Sequence, residues 1–111
     1  MMTKRPERIK IISKRFTINY VPEGHPGLEA EDNKGMCDSL KQTIWIEDGM
    51  KYDTEKETIL HETLHAISDE MGLHLTEEQV DGGAKGILAV LMDNPSFAKF
   101  ILKKEKVVNG A

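Results

Sequence analysis

Asp53-Thr54-Glu55-Lys56-Glu57-Thr58-Ile59-Leu60-His61-Glu62-Thr63-Leu64-His65-Ala66-Ile67-Ser68-Asp69-Glu70-Met71-Gly72 is the stretch from which the rest of the chain is read. Leu60, Leu64, Ile67 and Met71 recur at helical spacing and define a core stripe. Thr54 with Glu57 three residues on reads as a capping box that opens the helix, and Gly72 as its stop. On that helix His61 and His65, four residues apart, sit one turn above each other on the same side. Each can aim a ring nitrogen at one metal ion. Glu62 points about 100° away from His61, which suits a general base acting on a water at the metal better than a third ligand. Both histidines fall roughly 110° from the centre of the apolar stripe, at the rim of the core.

Catalytic zinc takes three protein ligands, so a third must come from outside the helix. His74 has the right chemistry but follows the stop at Gly72 and lies roughly 13 Å along the axis from His65. A second helix is expected from Thr76 to about Met92, opened by a Thr76–Gln79 capping box and faced with Val80, Ala84, Ile87, Leu88 and Leu91. On its wheel Glu77 lies about 50° from the apolar centre, Asp81 about 90° and Glu78 about 150°. Glu78 therefore faces solvent, while Glu77 and Asp81 can both border a site between the helices. Gly82, Gly83 and Gly86 either loosen this helix or let another backbone come close. Asn94-Pro95 opens a short third helix through about Lys104, packing Phe97, Phe100 and Ile101.

Upstream, Ile9 to Val21 reads as one long strand or as two short ones with a kink near Ser13-Lys14. Pro22 to Gly35 is a loop, Gly35 to Asp38 a short strand, and Gln42 to Glu47 a firmer one. Residues 1–8 and 105–111 are expected to be flexible ends of a single domain spanning 9–104. At 111 residues the chain is long enough for one modest core. A net charge of −4 leaves no basic footprint for nucleic acid or an anionic membrane. No membrane span or signal peptide is visible, and the single cysteine, Cys37, excludes an intrachain disulfide, so a cytoplasmic setting is expected. Cys37 is read as a small buried residue and His25 as a solvated loop residue.

Thr58 to Ile67 resembles the extended zincin consensus, with Thr three before the first histidine, uncharged inner positions and an apolar residue two after the second. Ile44 to Pro95, about half of the chain, is similar to small phage and bacterial zincin-like peptidases in the neighbourhood of the ImmA/IrrE type. In that type a downstream helix carries an acidic ligand in a pattern like E-x-x-A-N-x-F. The matching segment here is Asp81-Gly82-Gly83-Ala84-Lys85-Gly86-Ile87, so the resemblance implies Asp81 as third ligand, with Asp in place of Glu and Lys in place of Asn. The shorter aspartate requires a closer approach of the helices, which Gly82 and Gly83 permit.

The resemblance implies a zinc-dependent peptidase acting on a peptide or protein substrate. His61, His65 and Asp81 would hold the metal, with Glu77 and His74 as alternatives to Asp81, and Glu62 would be the catalytic base. Glu57, four before His61, and Asp69, four after His65, are candidates to accept each ligand's other N–H. Gln42–Glu47 resembles the edge strand that pairs with extended substrate backbone. Tyr20 and Tyr52 are the candidate oxyanion stabilisers. Two other classes remain: a metal-dependent ribonuclease-like hydrolase, for which His74 would be a ligand, and a non-catalytic phage or bacterial structural or regulatory protein. The expected fold is α+β, a minimal zincin-like arrangement of a small, mostly antiparallel sheet packed on the HExxH helix, with a second helix bearing the third ligand.

Overall fold

The Ile9–Val21 stretch folds as two strands, β1 (Arg8–Ile11) and β2 (Lys14–Val21), paired antiparallel with Ile9 opposite Phe16. The kink is a tight reversal in which Ile12 takes a left-handed φ of 56°, an uncommon state for a β-branched residue. In this computed structural model, which describes residues 4–105, a 3₁₀ turn at Pro26–Leu28 interrupts the following loop. β3 (Gly35–Asp38) and β4 (Thr43–Glu47) then form a second antiparallel pair. β4 also runs parallel to β2, so the strand order is β1-β2-β4-β3.

That order corrects one expectation. The strand read from Gln42 to Glu47 lies between β2 and β3, and its ladder is filled on both sides, so the free edges belong to β1 and β3. Alternation of Ile44 and Ile46 announces a strand with one buried face but carries no information about its neighbours.

Three helices follow: α1 (Tyr52–Met71), α2 (Glu77–Asp93) and α3 (Pro95–Leu102). With the mixed sheet they make an α+β fold. α1 starts before Thr54, with Lys51 at the N-cap and no side-chain cap, so the Thr54–Glu57 box does not form. Gly72 ends α1 as expected, in the left-handed conformation with φ 63°.

α1 is packed on two sides, and only one was legible as an apolar stripe. Toward the sheet it sends Ala66, Ile59 and Ile67 into a core with Ile11, Phe16, Ile18, Ile44 and Ile46. Glu62 and Thr63 are buried as well. Toward α2, Leu64 reaches Gly83, where an added Cβ would lie 3.4 Å from Leu64 Cδ1, while Met71 at the end of the stripe is exposed. Of the three glycines in α2, Gly83 is thus the one in close approach; Gly82 and Gly86 face open space. α2 is nonetheless one continuous helix, opened by the Thr76–Gln79 capping box.

α3 departs from expectation more sharply. None of its residues is buried, and Phe97, Phe100 and Ile101 are exposed rather than packed. Asn94 takes the N-cap position and Pro95 the first helical position, as expected, but the Asn94 side chain makes no capping bond and its amide donates instead to Val90 O at 2.9 Å. The N-terminal segment is also more engaged than expected. Arg5 donates to Asp48 at 3.1 Å and to Glu55 at 2.9 Å, and its guanidinium lies 3.5 Å over the Tyr20 ring. Residues 1–3 and 106–111, which hold the rest of the expected flexible ends, lie outside the described residues. Among the described residues no helix is long and apolar enough to cross a membrane.

Candidate metal and catalytic site

The turn between α1 and α2 decides what meets the histidines. Ser68 is buried and organises it: its carbonyl accepts from the N–H groups of Gly72 and Leu73, and its hydroxyl accepts from Leu75 N at 2.9 Å. Thr76 then caps α2, accepting from Gln79 N at 3.1 Å while its own N–H donates to the Gln79 side chain at 2.9 Å. Glu77 is therefore the first residue of α2 and hangs back over the middle of α1.

Its carboxylate bridges both imidazoles, with Oε1 2.7 Å from His61 Nε2 and Oε2 2.9 Å from His65 Nε2. The two rings stand 5.0 Å apart at their centroids. One ligating atom from each of His61, His65 and Glu77 falls within 4.8 Å of the others. Two imidazole nitrogens and a carboxylate oxygen form a donor set that suits zinc.

Asp81 sits one turn further along α2 and outside this cluster. Its Oδ1 lies 3.5 Å from the other ring nitrogen of His61, Nδ1, and its Oδ2 accepts from Lys85 Nζ at 2.7 Å. The Lys85 hydrogen bond holds the Asp81 carboxyl below its ordinary range. The one acid in this cluster is thus Glu77, which the wheel had left level with Asp81. His74 lies exposed in the turn with φ 53°, outside the cluster. Glu57 lines the cleft, but the free side of His61 faces Asp81 instead. Asp69 is engaged by the β3–β4 connection, accepting from Ser39 Oγ at 2.5 Å.

Glu62 points to the sheet side of the pair. It is 6% exposed and rests against the first residue of β3: a Cβ on Gly35 would lie 3.0 Å from Glu62 Oε2 and 2.7 Å from Thr58 Cγ2. Burial pushes the Glu62 carboxyl up to about 7; the neighbouring His61 opposes the rise and Glu77 adds to it. A cleft of about 300 Å³ opens over it, lined by Asn33, Gly35, His61 and Glu77 among others. A second hollow, about 430 Å³, continues past Met36 and Cys37 to His65. Together they form a groove along the free edge of β3.

Gly35 and Ser68 were not singled out in the sequence. A glycine opening a strand was the one available signal for Gly35; nothing marked Ser68. The tyrosines are elsewhere: Tyr20 donates to Pro6 O at 2.5 Å, and Tyr52 is exposed beneath the Lys56 ammonium. His25 is half-buried rather than solvated, stacked 5.3 Å from Trp45 with Nδ1 accepting from Gly27 N. Cys37 is half-buried, and burial pushes its thiol up to about 11, so the reactive thiolate is scarce at neutral pH. No protein-family model, curated protein or solved structure matches the chain.

Proposed function

We propose that the chain is a zinc-dependent peptidase that hydrolyses a peptide bond, with Glu62 as general base and His61, His65 and Glu77 as metal ligands. The observation that carries this reading is the convergence of two imidazoles and a carboxylate beside a buried carboxyl poised near neutral pH. When bound, the ion would acidify a water and polarise the scissile carbonyl. Glu62 takes a proton from the attacking water and passes it to the leaving amine. A carboxyl whose pKa is near the working pH can do both. Asp81, on the outer nitrogen of His61, orients that ring and favours the tautomer that leaves Nε2 free. Substrate backbone in extended form would add to β3, whose outer edge borders the groove.

The zincin-like resemblance supports this reading with one change, Glu77 in the place given to Asp81. The ribonuclease-like alternative needs His74 as a ligand, and His74 lies outside the cluster. The test is zinc content by elemental analysis on the wild type, His61→Ala, Glu77→Ala and Asp81→Ala. One zinc per chain is expected in the wild type, none in the first two variants, and binding weakened roughly 10- to 100-fold in the third. Glu62→Gln should retain zinc and lose hydrolysis in a screen of protein substrates. A wild type that takes up no zinc when it is added back would overturn the proposal.

A further inference from the structure

Among the described residues α3 makes few contacts, chiefly with α2. Eight residues is well short of the roughly 12–15 at which an isolated helix persists in water, yet none of its residues is buried. Phe97, Phe100, Ile101 and Leu102 are 47%, 75%, 57% and 78% exposed. On α2, Ile87 and Val90 are about half exposed as well, while Met92, also half exposed, lies on the opposite side of that helix, facing the start of α1. α3 alone exposes apolar surface on the order of 500 Å², which a stable interface, at roughly 800 Å² from each partner, would complete only with a second patch.

The same chain carries a socket of matching character. Between the start of α1 and the distal half of α2 lies a groove of about 310 Å³, with Leu88, Ala89 and Met92 for its apolar lining and Asp53, Glu57 and Lys85 as its charged residues, Asp53 being paired with Lys56 at 3.2 Å. α3 offers the complement, aromatic and aliphatic side chains interleaved with Lys99 and followed by Lys103 and Lys104. We propose that two copies of the chain pair about a two-fold axis, each seating its α3 in the α1–α2 groove of the other. Such an exchange covers knob and socket in both copies at once, as an isologous interface requires. It also reaches the cleft described above, because Thr54, Glu57 and Lys85 line both cavities and the incoming helix would form the end wall of the cleft.

Sedimentation equilibrium of the full chain tests this without reference to metal or activity. The wild type should be a dimer at micromolar concentration. Phe100→Asp on the knob and Ala89→Glu in the socket, both at exposed positions, should each raise the dimer dissociation constant at least tenfold while leaving the circular dichroism spectrum unchanged. An equimolar mixture of the two variants should recover part of the association, since one intact knob still meets one intact socket. A wild type that stays monomeric at 100 micromolar overturns the proposal, whether or not it binds vesicles of anionic lipid or another protein through α3. A dimer that survives Ala89→Glu, or two variants that fail to complement, overturns the reciprocal seating.

Discussion

A carboxyl group held out of water beside two imidazoles must change the stability of the chain that buries it. Glu62 in the folded state keeps its proton up to about pH 7, whereas in the unfolded chain it ionises near its ordinary value of 4.5. The folded form therefore binds more protons between those values, and the Glu62 contribution falls as pH rises through this window. Its full loss is on the order of 3 kcal/mol at pH 8. Metal-free Glu62→Gln should accordingly be more stable than metal-free wild type at pH 8 and nearly equal to it at pH 4.5, measured by denaturant unfolding with chelator present. Equal stability at both pH values would mean that Glu62 is hydrated. His61, Glu62 and His65 were legible because their chemistry sits in one short helical pattern. The choice of Glu77 over Asp81 was not, since a helical wheel gives an angle but not the depth at which a neighbouring helix starts. The resemblance pointed to Asp81, whereas the α1–α2 turn sets the Glu77 carboxylate against both imidazoles.

At the scale of elements, the site depends on two junctions. The first is the α1–α2 turn, where the Ser68 hydroxyl accepts from Leu75 N one residue before the cap. Ser68→Ala leaves that N–H without its partner, at a cost of about 1–3 kcal/mol, and loosens the start of α2 on which Glu77 rides. Zinc affinity should fall in this variant even though no ligand has changed; unaltered affinity would show that the cap at Thr76 positions Glu77 alone. The second is the contact between β3 and α1 at Gly35. Gly35→Ala places a methyl within 3.0 Å of Glu62 and closer still to Thr58. It should lower kcat at least tenfold on any substrate found while zinc content stays at one per chain, because the displaced group is the proposed base and not a proposed ligand. The capping box at Thr76 and the stop at Gly72 were readable from local chemistry, whereas the start of α1 was not, because the Thr54–Glu57 box does not form. The two-sided packing of α1 was not, because a face that buries Glu62 and Thr63 gives no apolar signal.

Across the whole molecule, the sheet and α1 share one core of Phe16, Ile18, Ile44 and Ile46 against Ala66, while α2 is attached mainly through its contact with α1. Strand order decided which edge lies beside the site, and that follows from how the long Pro22–Gly35 connection returns, which alternation within a strand cannot reveal. The same division governs what zinc does to stability. His61 and His65 belong to the sheet-bound helix and Glu77 to the attached one, so one ion would tie the two parts together across the Ser68 turn. A ligand that binds only the folded chain at one hundred times its dissociation constant stabilises by about 2.7 kcal/mol. For a domain of this size that corresponds to a rise in Tm of roughly 10–20 °C. The wild type should show this rise when zinc is added to chelator-treated protein and lose it on rechelation. Glu77→Ala should show little of it, while Gly35→Ala should show nearly all. A Tm that ignores zinc in the wild type would remove the physical basis for a metal site between α1 and α2. A rise that persists in Glu77→Ala would place the third ligand on another residue.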